Sequence, residues 1–172
     1  MIKDRIYFRS KFAFRQIITT MKSRVDEAVN KFESGYNCAQ AVFATYADLF
    51  GMNEEDALKL ASPMGGGMGR MREVCGTVSA MALLEGLKEG NTDPLDKTAQ
   101  GRTYETVRSL SDSFTEENGS IICRELLGIL SKEKSAVPSE RTKEYYQSRP
   151  CTKLVASAAR IVEEQLLVDR ME

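Results

Sequence analysis

The residues of this sequence that are best suited to chemistry are four cysteines, Cys38, Cys75, Cys123 and Cys151. The 172-residue chain contains no histidine, which excludes Ser-His and Cys-His catalysis and histidine-ligated metal or haem sites. It therefore has no side chain whose ordinary pKa lies near neutrality. Nucleophilic or acid–base chemistry at neutral pH has to come from a cysteine thiolate, or from a carboxylate or lysine with a shifted pKa.

The spacing of the cysteines narrows the kinds of site that they can form. They lie far apart in the sequence and include no Cys-x-x-Cys pair. Zinc ribbons and fingers use such pairs, so the spacing argues against that class of metal site. In a reducing cytosol the cysteines are not expected to form a structural disulfide framework. Redox-active thiols and ligands for a soft metal or an iron–sulfur cluster remain as alternatives.

Glycines crowd the second cysteine in the segment GGGMGRMREVCGTVSA, residues 65–80. A dinucleotide-binding loop follows a strand, and a phosphate-binding P-loop ends in Gly-Lys-Ser/Thr, so neither pattern fits. We predict instead that four glycines allow close backbone approach to the site that the cysteines form. They are Gly65, Gly66, Gly67 and Gly76. The two arginines of the segment, Arg70 and Arg72, are predicted to stabilise a thiolate.

Helical patterns dominate the sequence, and the alternating patterns typical of strands are nearly absent. The first predicted helix covers residues 22–32. Asn37 is the predicted cap of the second helix, which Gly51 ends, and Asn53 is the predicted cap of the third, which ends before Pro63. The sequence therefore predicts an all-α protein, a single-domain helical bundle of about six to eight helices.

The second half of the chain continues the helical pattern. The mostly apolar residues 75–87 predict a buried helix, and residues 93–114 predict a long amphipathic one. Ser120 is the predicted cap of the next helix, and a polar loop is expected over residues 131–139. Pro150 opens the last helix, whose apolar residues recur at spacings of three and four.

Each cysteine falls in the first turn of a predicted helix. Free backbone N–H groups and the positive end of the helix dipole stabilise a thiolate at that position, which lowers the pKa of the cysteine and raises its reactivity. A single cysteine at such a position is more often a small buried hydrophobe. Because all four cysteines lie at predicted helix starts, the pattern favours functional thiols.

The composition indicates a folded domain without a surface for nucleic acid. Hydrophobic residues make up 42% of the chain, and the net charge is −1 with acids and bases interspersed, so nucleic acid is not expected as a partner. No apolar run approaches the ~20 residues that span a bilayer. The N-terminus lacks the apolar core and cleavage site of a signal peptide. We therefore expect a cytoplasmic protein.

The N-terminal residues differ from the rest of the chain. Residues 1–20 mix lysine and arginine with isoleucine and phenylalanine, a pattern that fits a basic amphipathic helix on an anionic membrane surface. An extra docking helix and a translation start at Met21 are the alternatives. We divide the chain into an N-terminal basic extension or extra helix, residues 1–21, and a four-cysteine helical redox domain, residues 22–172.

The four cysteines and their contexts resemble those of the redox-active protein family named for its C-GCAxxG-C-C pattern. The blocks that carry the resemblance are GYNCAQAV around Cys38, GGGMGRMREVCGTVSA around Cys75, FTEENGSIICRELLG around Cys123 and CTKLVASAARIVEE from Cys151. They span about residues 22–167. The chain departs from the pattern at two positions, since Thr77 and Ala80 stand where the family has Ala and Gly. We expect these changes to widen the helix contact. The resemblance implies a redox role that rests on the cysteines.

Three functions follow from these observations. The first is a thiol–disulfide oxidoreductase in which the four cysteines are catalytic and a redox protein or a small thiol is the partner. The second is a binding protein in which the same cysteines hold an iron–sulfur cluster or a soft metal ion as cofactor. The third is a helical interaction module accessory to a transporter, because family members often lie near transporter genes. The three pairings of four cysteines stay open.

Overall fold

The protein is all-α, as the sequence predicts. The computed structural model describes residues 21–129 and 133–171, which contain eight α-helices and no strand. The helices are α1 Val25–Glu33, α2 Cys38–Tyr46, α3 Glu54–Ala61, α4 Gly76–Glu89, α5 Lys97–Asn118, α6 Cys123–Leu126, α7 Lys143–Ser148 and α8 Cys151–Ile161. In this part of the chain no helix has the length and apolar character needed to cross a membrane. The predictions for residues 1–20 lie outside it.

Shorter helical segments extend three of these helices. A 3₁₀ turn, Ala47–Phe50, follows α2, and another, Ser62–Met64, follows α3. The last helix continues as a π-helical turn, Val162–Leu166, and a 3₁₀ turn, Val168–Arg170. The apolar positions predicted for the last helix are all buried, which confirms the spacing of three and four.

Helix α2 lies at the centre of the bundle and contacts α1, α3, α4 and α8. Seven of its nine residues are buried, because alanines allow neighbouring helices to approach on every side. Its start is fixed by a capping box: the Asn37 side chain accepts hydrogen bonds from the N–H groups of Ala39 and Gln40, and the Gln40 side chain accepts one from the Asn37 N–H. This double cap holds Cys38, the first residue of α2, in a defined position.

Several predicted helix boundaries differ from the structure: α1 starts at Val25 rather than at residue 22, and α5 ends at Asn118 rather than at residue 114. Ser120 does not cap α6: its hydroxyl donates to Glu125 and accepts from the Ile122 N–H, so the helix begins three residues later at Cys123 and is a single turn. The long helix α5 starts at Lys97 rather than at residue 93, because an Asp93 side chain that accepts from the Leu95 N–H holds that segment in a turn.

Helix α7 has no counterpart in the sequence prediction. Its sequence, KEYYQS, lacks an apolar repeat, and tertiary contacts hold it in place. The Tyr146 hydroxyl donates to the carbonyl oxygens of Phe32 and Glu33, and the Tyr146 ring packs edge-on against Phe32 at 5.6 Å between centroids. This docking brings the residues on either side of α7 to the start of α2.

A buried hydrogen bond supplies a stability test of the fold. The Tyr46 hydroxyl donates to Glu163 Oε1 at 2.8 Å, and that oxygen also accepts from the Arg24 N–H at 2.6 Å. We expect Tyr46→Phe to lower the free energy of unfolding by about 1–3 kcal/mol, because a buried carboxylate loses a donor. Tyr104→Phe is the control, because Tyr104 is 61% exposed. It should change the free energy of unfolding by less than about 0.5 kcal/mol. If urea unfolding shows equal losses of free energy for the two variants, the stabilising role of the Tyr46–Glu163 hydrogen bond is contradicted.

Candidate thiol site

The four cysteines lie at the starts of four helices and line one cavity. Cys38, Cys123 and Cys151 are the first residues of α2, α6 and α8, and Cys75 is the N-cap of α4. All four are free thiols. The remainder of the wall is formed by Leu126, Leu127 and Leu154. The cavity has a volume of about 20 Å³, close to the space that one water molecule needs.

A short backbone pairing brings the second and third cysteines together. The Cys75 N–H donates to the Ile121 carbonyl at 2.8 Å, and the Cys123 N–H donates to the Glu73 carbonyl at 2.6 Å. The segments that precede α4 and α6 are thereby joined in an antiparallel bridge. Two helices that are distant in sequence therefore begin side by side.

Gly76 allows Cys38 to lie against the first turn of α4. A Cβ atom at Gly76 would stand 2.7 Å from the Cys38 sulfur and 3.2 Å from Ala39 Cβ. The Cβ atom would also stand 3.0 Å from the Met64 carbonyl oxygen, so the Cys38 sulfur and the neighbouring backbone would have to shift to admit a side chain. The close approach at Gly76 is thus made to Cys38, on a neighbouring helix, and to the Met64 carbonyl oxygen of the preceding loop.

The glycines of the loop before α4 close over the same region. A Cβ atom at Gly65 would stand 2.6 Å from Asn37 Cγ, and one at Gly67 would stand 2.7 Å from Cys123 Cβ. Gly67 also has a φ of +71°, which side chains rarely adopt. The loop therefore packs on the cap of α2 and on the start of α6.

The same loop holds three side-chain-bearing residues in the left-handed region. The φ angles of Met68, Arg70 and Arg72 are 58°, 68° and 63°. Each such residue costs on the order of 1–2 kcal/mol, and strained residues of this kind cluster at functional sites. Backbone hydrogen bonds within the loop, such as Arg72 N–H to the Gly66 carbonyl, help to offset the strain.

Cys38 is the thiol that is stabilised as a thiolate. A hydrogen bond from Cys75 is the main cause that lowers its pKa, to about 6, against the opposing effect of burial. The backbone N–H groups of Gly66 and Ala39 and the positive charge of Arg141 act in the same direction. Cys38 is therefore mostly ionised at neutral pH.

The other three thiols are protonated at neutral pH. The pKa of Cys75 is raised because it donates to Cys38 and because it is buried, and its sulfur lies 3.1 Å from Thr77 Oγ1. Burial is the first cause that raises the pKa of Cys123, and also that of Cys151, which reaches about 12. The negative charge on Cys38 raises both further. The site thus combines one thiolate with three thiols.

The two arginines selected from the sequence occupy different positions. Arg72 is 4% exposed, and its hydrogen bond and charge lower the pKa of Cys123 against the effect of burial. Arg70 instead binds the chain around residues 133–139: its guanidinium donates to Glu133 Oε2 at 3.1 Å and to Ser139 Oγ at 2.9 Å. Of the two, the structure brings Arg72 to a cysteine.

Sequence reasoning missed Arg141 and Tyr145. Arg141 lies near Cys38, donates to the Tyr36 carbonyl at 3.4 Å, and stacks on Tyr145 with 4.5 Å between its guanidinium carbon and the ring centroid. Both belong to the segment around α7, whose helix the hydrophobic pattern does not reveal. The available signal was Thr142, a helix cap that directly follows Arg141.

The predicted metal or cluster role of the cysteines stays a prediction. Within residues 21–129 and 133–171, no group of three cysteine, aspartate or glutamate side chains is arranged so that it would hold a metal ion.

The fold and the site define an all-α protein with four clustered thiols. The chain matches the model of the family described as "Putative redox-active protein (C_GCAxxG_C_C)" over residues 36–165. This match covers most of the chain and all four cysteines, so the protein belongs to that family. Comparison with the curated proteins and with the solved structures found no match.

The steric role of Gly76 is tested by a matched pair of substitutions in α4. Gly76→Ala places a methyl group against the Cys38 sulfur, so we expect the free energy of unfolding to fall by about 1–3 kcal/mol and the alkylation rate of Cys38 to change. Gly86→Ala meets nothing within 4 Å and should stabilise the helix by about 0.5–1 kcal/mol. If the two variants have the same free energy of unfolding in urea, the contact between Gly76 and the Cys38 sulfur does not constrain the site.

The ionisation of Cys38 predicts a distinctive pH dependence of alkylation. Because only the thiolate reacts, the rate at Cys38 should rise with pH, reach half its maximum at pH about 6, and level off above pH 7. Iodoacetamide labelling resolved by peptide mass spectrometry gives this rate for each cysteine. In denaturant all four should share a midpoint near pH ~8.5, and a similar midpoint for Cys38 in the folded protein would refute its ionisation.

Proposed function

We propose that the protein is a dithiol–disulfide redox protein in which Cys38 is the attacking thiolate and Cys75 the thiol that completes the disulfide. The observation that carries this proposal is that Cys38 and Cys75 line one small cavity and interact there, which lowers the pKa of Cys38 and raises that of Cys75. The site thus pairs a thiolate nucleophile with a second thiol in the same cavity. Membership of the redox-active family is consistent with the proposal.

The reaction begins when the Cys38 thiolate attacks one sulfur of a partner disulfide. A bond forms between that sulfur and Cys38, the partner's S–S bond breaks, and its other sulfur leaves as a thiolate. Cys75 then attacks the Cys38 sulfur, which forms the Cys38–Cys75 disulfide and releases the second half of the partner. The proton of Cys75 passes to one of the released thiolates. Two protein thiols are oxidised, and one disulfide is reduced to two thiols.

The surroundings of the pair favour this sequence of steps. The Gly66 and Ala39 N–H groups and the Arg141 charge stabilise the thiolate form of Cys38 before attack. Cys75 remains protonated until Cys38 becomes a mixed disulfide, because the negative charge of Cys38 and burial both raise its pKa. Once that charge is gone, Cys75 ionises more readily and the second step follows.

A second candidate function is the binding of an iron–sulfur cluster or a soft metal ion. It is favoured by one observation, that the thiols of all four cysteines line the same cavity. Thiolates are the preferred ligands of both groups. This function requires Cys75, Cys123 and Cys151 as thiolates, so binding would release their protons.

The dithiol function is tested by reaction with a neutral disulfide, bis(2-hydroxyethyl) disulfide, under anaerobic conditions at pH 7. The protein should consume one disulfide per chain and acquire a Cys38–Cys75 bond. Cys38→Ser should slow the reaction by at least about tenfold, and Cys75→Ser should stop it at a mixed disulfide on Cys38. Peptide mapping and thiol counting give these results.

Cys151→Ser is the control for this experiment, because the pKa of Cys151 leaves it protonated at pH 7. It should retain the first step at close to the rate of the unmodified protein. Equal slowing by Cys38→Ser and Cys151→Ser, or a disulfide that maps to another pair, would contradict the proposal.

A further inference from the structure

A second cavity, much larger than the thiol cavity, lies beside the thiol site. Its volume is about 380 Å³, within the size range of small-ligand sites. Four arginines line it, namely Arg70, Arg72, Arg141 and Arg149. Among the residues that the structure describes, no aspartate or glutamate belongs to its wall. We call it the arginine cavity.

The arginine cavity carries more positive charge than its neighbours neutralise. Glu133 Oε2 lies 3.1 Å from Arg70 Nη2 and 3.8 Å from Arg72 Nη2. In the described ranges, Arg141 and Arg149 have no carboxylate within ion-pair distance. One carboxylate and the nearby Cys38 thiolate therefore face four guanidinium groups, an imbalance that an anionic ligand would relieve.

Two of these arginines have buried N–H groups that lack an acceptor. Arg72 Nε and Arg141 Nη1 are buried, and neither has a hydrogen-bond partner within residues 21–129 and 133–171. Arg72 is 4% exposed, so solvent does not replace the missing acceptor. A buried charged donor without a partner is costly, and both arginines belong to the wall of the same cavity. An anion bound in the cavity would offset the positive charge of both side chains.

The two arginines without carboxylate partners are held by an aromatic ring. The guanidinium carbons of Arg141 and Arg149 lie 4.5 Å and 4.6 Å from the ring centroid of Tyr145. Cation–π contacts orient a guanidinium without neutralising it. The pair can therefore present N–H donors to a carboxylate in the bidentate geometry that arginine favours.

No described residue lines both cavities, but several residues of the arginine cavity adjoin the cysteines of the thiol cavity. Asn37, which directly precedes Cys38, lines the arginine cavity, as does Gly66, whose N–H binds the Cys38 sulfur. Arg72 lines it as well and contacts Cys123 on the other side. A ligand anchored by the arginines would thus lie against residues that adjoin Cys38.

We propose that the arginine cavity binds the carboxylate end of a small-molecule disulfide and so selects an anionic disulfide as the substrate of Cys38. This inference rests on the dithiol function proposed above and adds the chemical class of the substrate. Cys38 attacks a sulfur of the bound disulfide, and Cys75 completes the exchange, so that the substrate leaves as two anionic thiols.

The proposal is tested with three disulfides of similar size and different charge: 3,3′-dithiodipropionate, bis(2-hydroxyethyl) disulfide and cystamine. We expect the dianionic probe to react at least about tenfold faster than the neutral one and the dicationic probe to be the slowest. Raising the salt concentration should reduce the differences between the three reaction rates. Arg149→Gln should reduce the ratio of anionic to neutral rates to within about threefold. Arg160→Gln is the matched control, because Arg160 pairs with Glu117 at 2.6 Å outside the cavity, and should leave the ratio unchanged.

A binding measurement separates failure of this inference from failure of the dithiol function. Suberate has the length of 3,3′-dithiodipropionate but no sulfur, and NMR titration of the Cys38→Ser protein reports its binding without reaction. Arg149→Gln should weaken this binding at least about fivefold, and Arg160→Gln should not.

Each outcome decides one of the two claims. Equal rates with all three disulfides would overturn the arginine cavity as a substrate site and leave the dithiol function standing. Absence of reaction with every disulfide would overturn the dithiol function and, with it, the substrate assignment. If Arg149→Gln leaves the affinity for suberate unchanged, the anion site itself is overturned.

Discussion

The site depends on one close contact, that of the Cys38 sulfur with the bare backbone of Gly76. A Cβ atom at residue 76 would stand 2.7 Å from that sulfur and 3.0 Å from the Met64 carbonyl oxygen, so the sulfur and the neighbouring backbone would have to shift. Because the contact is allowed, Cys38 lies within hydrogen-bonding reach of Cys75, and the two thiols become unequal. The capping box at Asn37 fixes the same end of α2 and thus keeps the contact in register.

The loop before α4 contributes to the electrostatic environment of the Cys38 thiolate. Its glycines pack on Asn37 and Cys123, while its left-handed residues include Arg72, which is buried beside Cys123. The helix starts supply N–H groups, and the segment around α7 supplies Arg141. Backbone strain, buried positive charge and a thiolate therefore occur together, as expected where a protein holds a reactive anion out of water.

Much of the fold could be predicted because its signals are local. The caps Asn37 and Asn53, the turn at Gly51 and the apolar spacing of α8 each follow from a few neighbouring residues, and all match the structure. The positions of Cys38 and Cys151 at helix starts follow from the same signals, because Asn37 and Pro150 directly precede them. Ser120 was misassigned because its hydroxyl binds Glu125, a competing partner that propensity does not reveal.

The rest of the site depends on contacts between distant segments. Which cysteine is ionised follows from the approach of α2 to α4, and no local pattern encodes it. Helix α7 is held by hydrogen bonds from Tyr146 to α1, so the arginines on either side of it were not recognised together. The left-handed path of Met68, Arg70 and Arg72 contradicts residue preference and arises from the packing of the loop.

Native mass spectrometry of protein purified without oxygen, combined with peptide mapping after mild oxidation, tests the central claim most directly. The account predicts the mass of the chain alone, followed by a loss of two hydrogens that maps to Cys38 and Cys75. A native mass increased by iron and sulfide, or by a metal ion, would contradict it and favour the metal-binding or cluster-binding function instead.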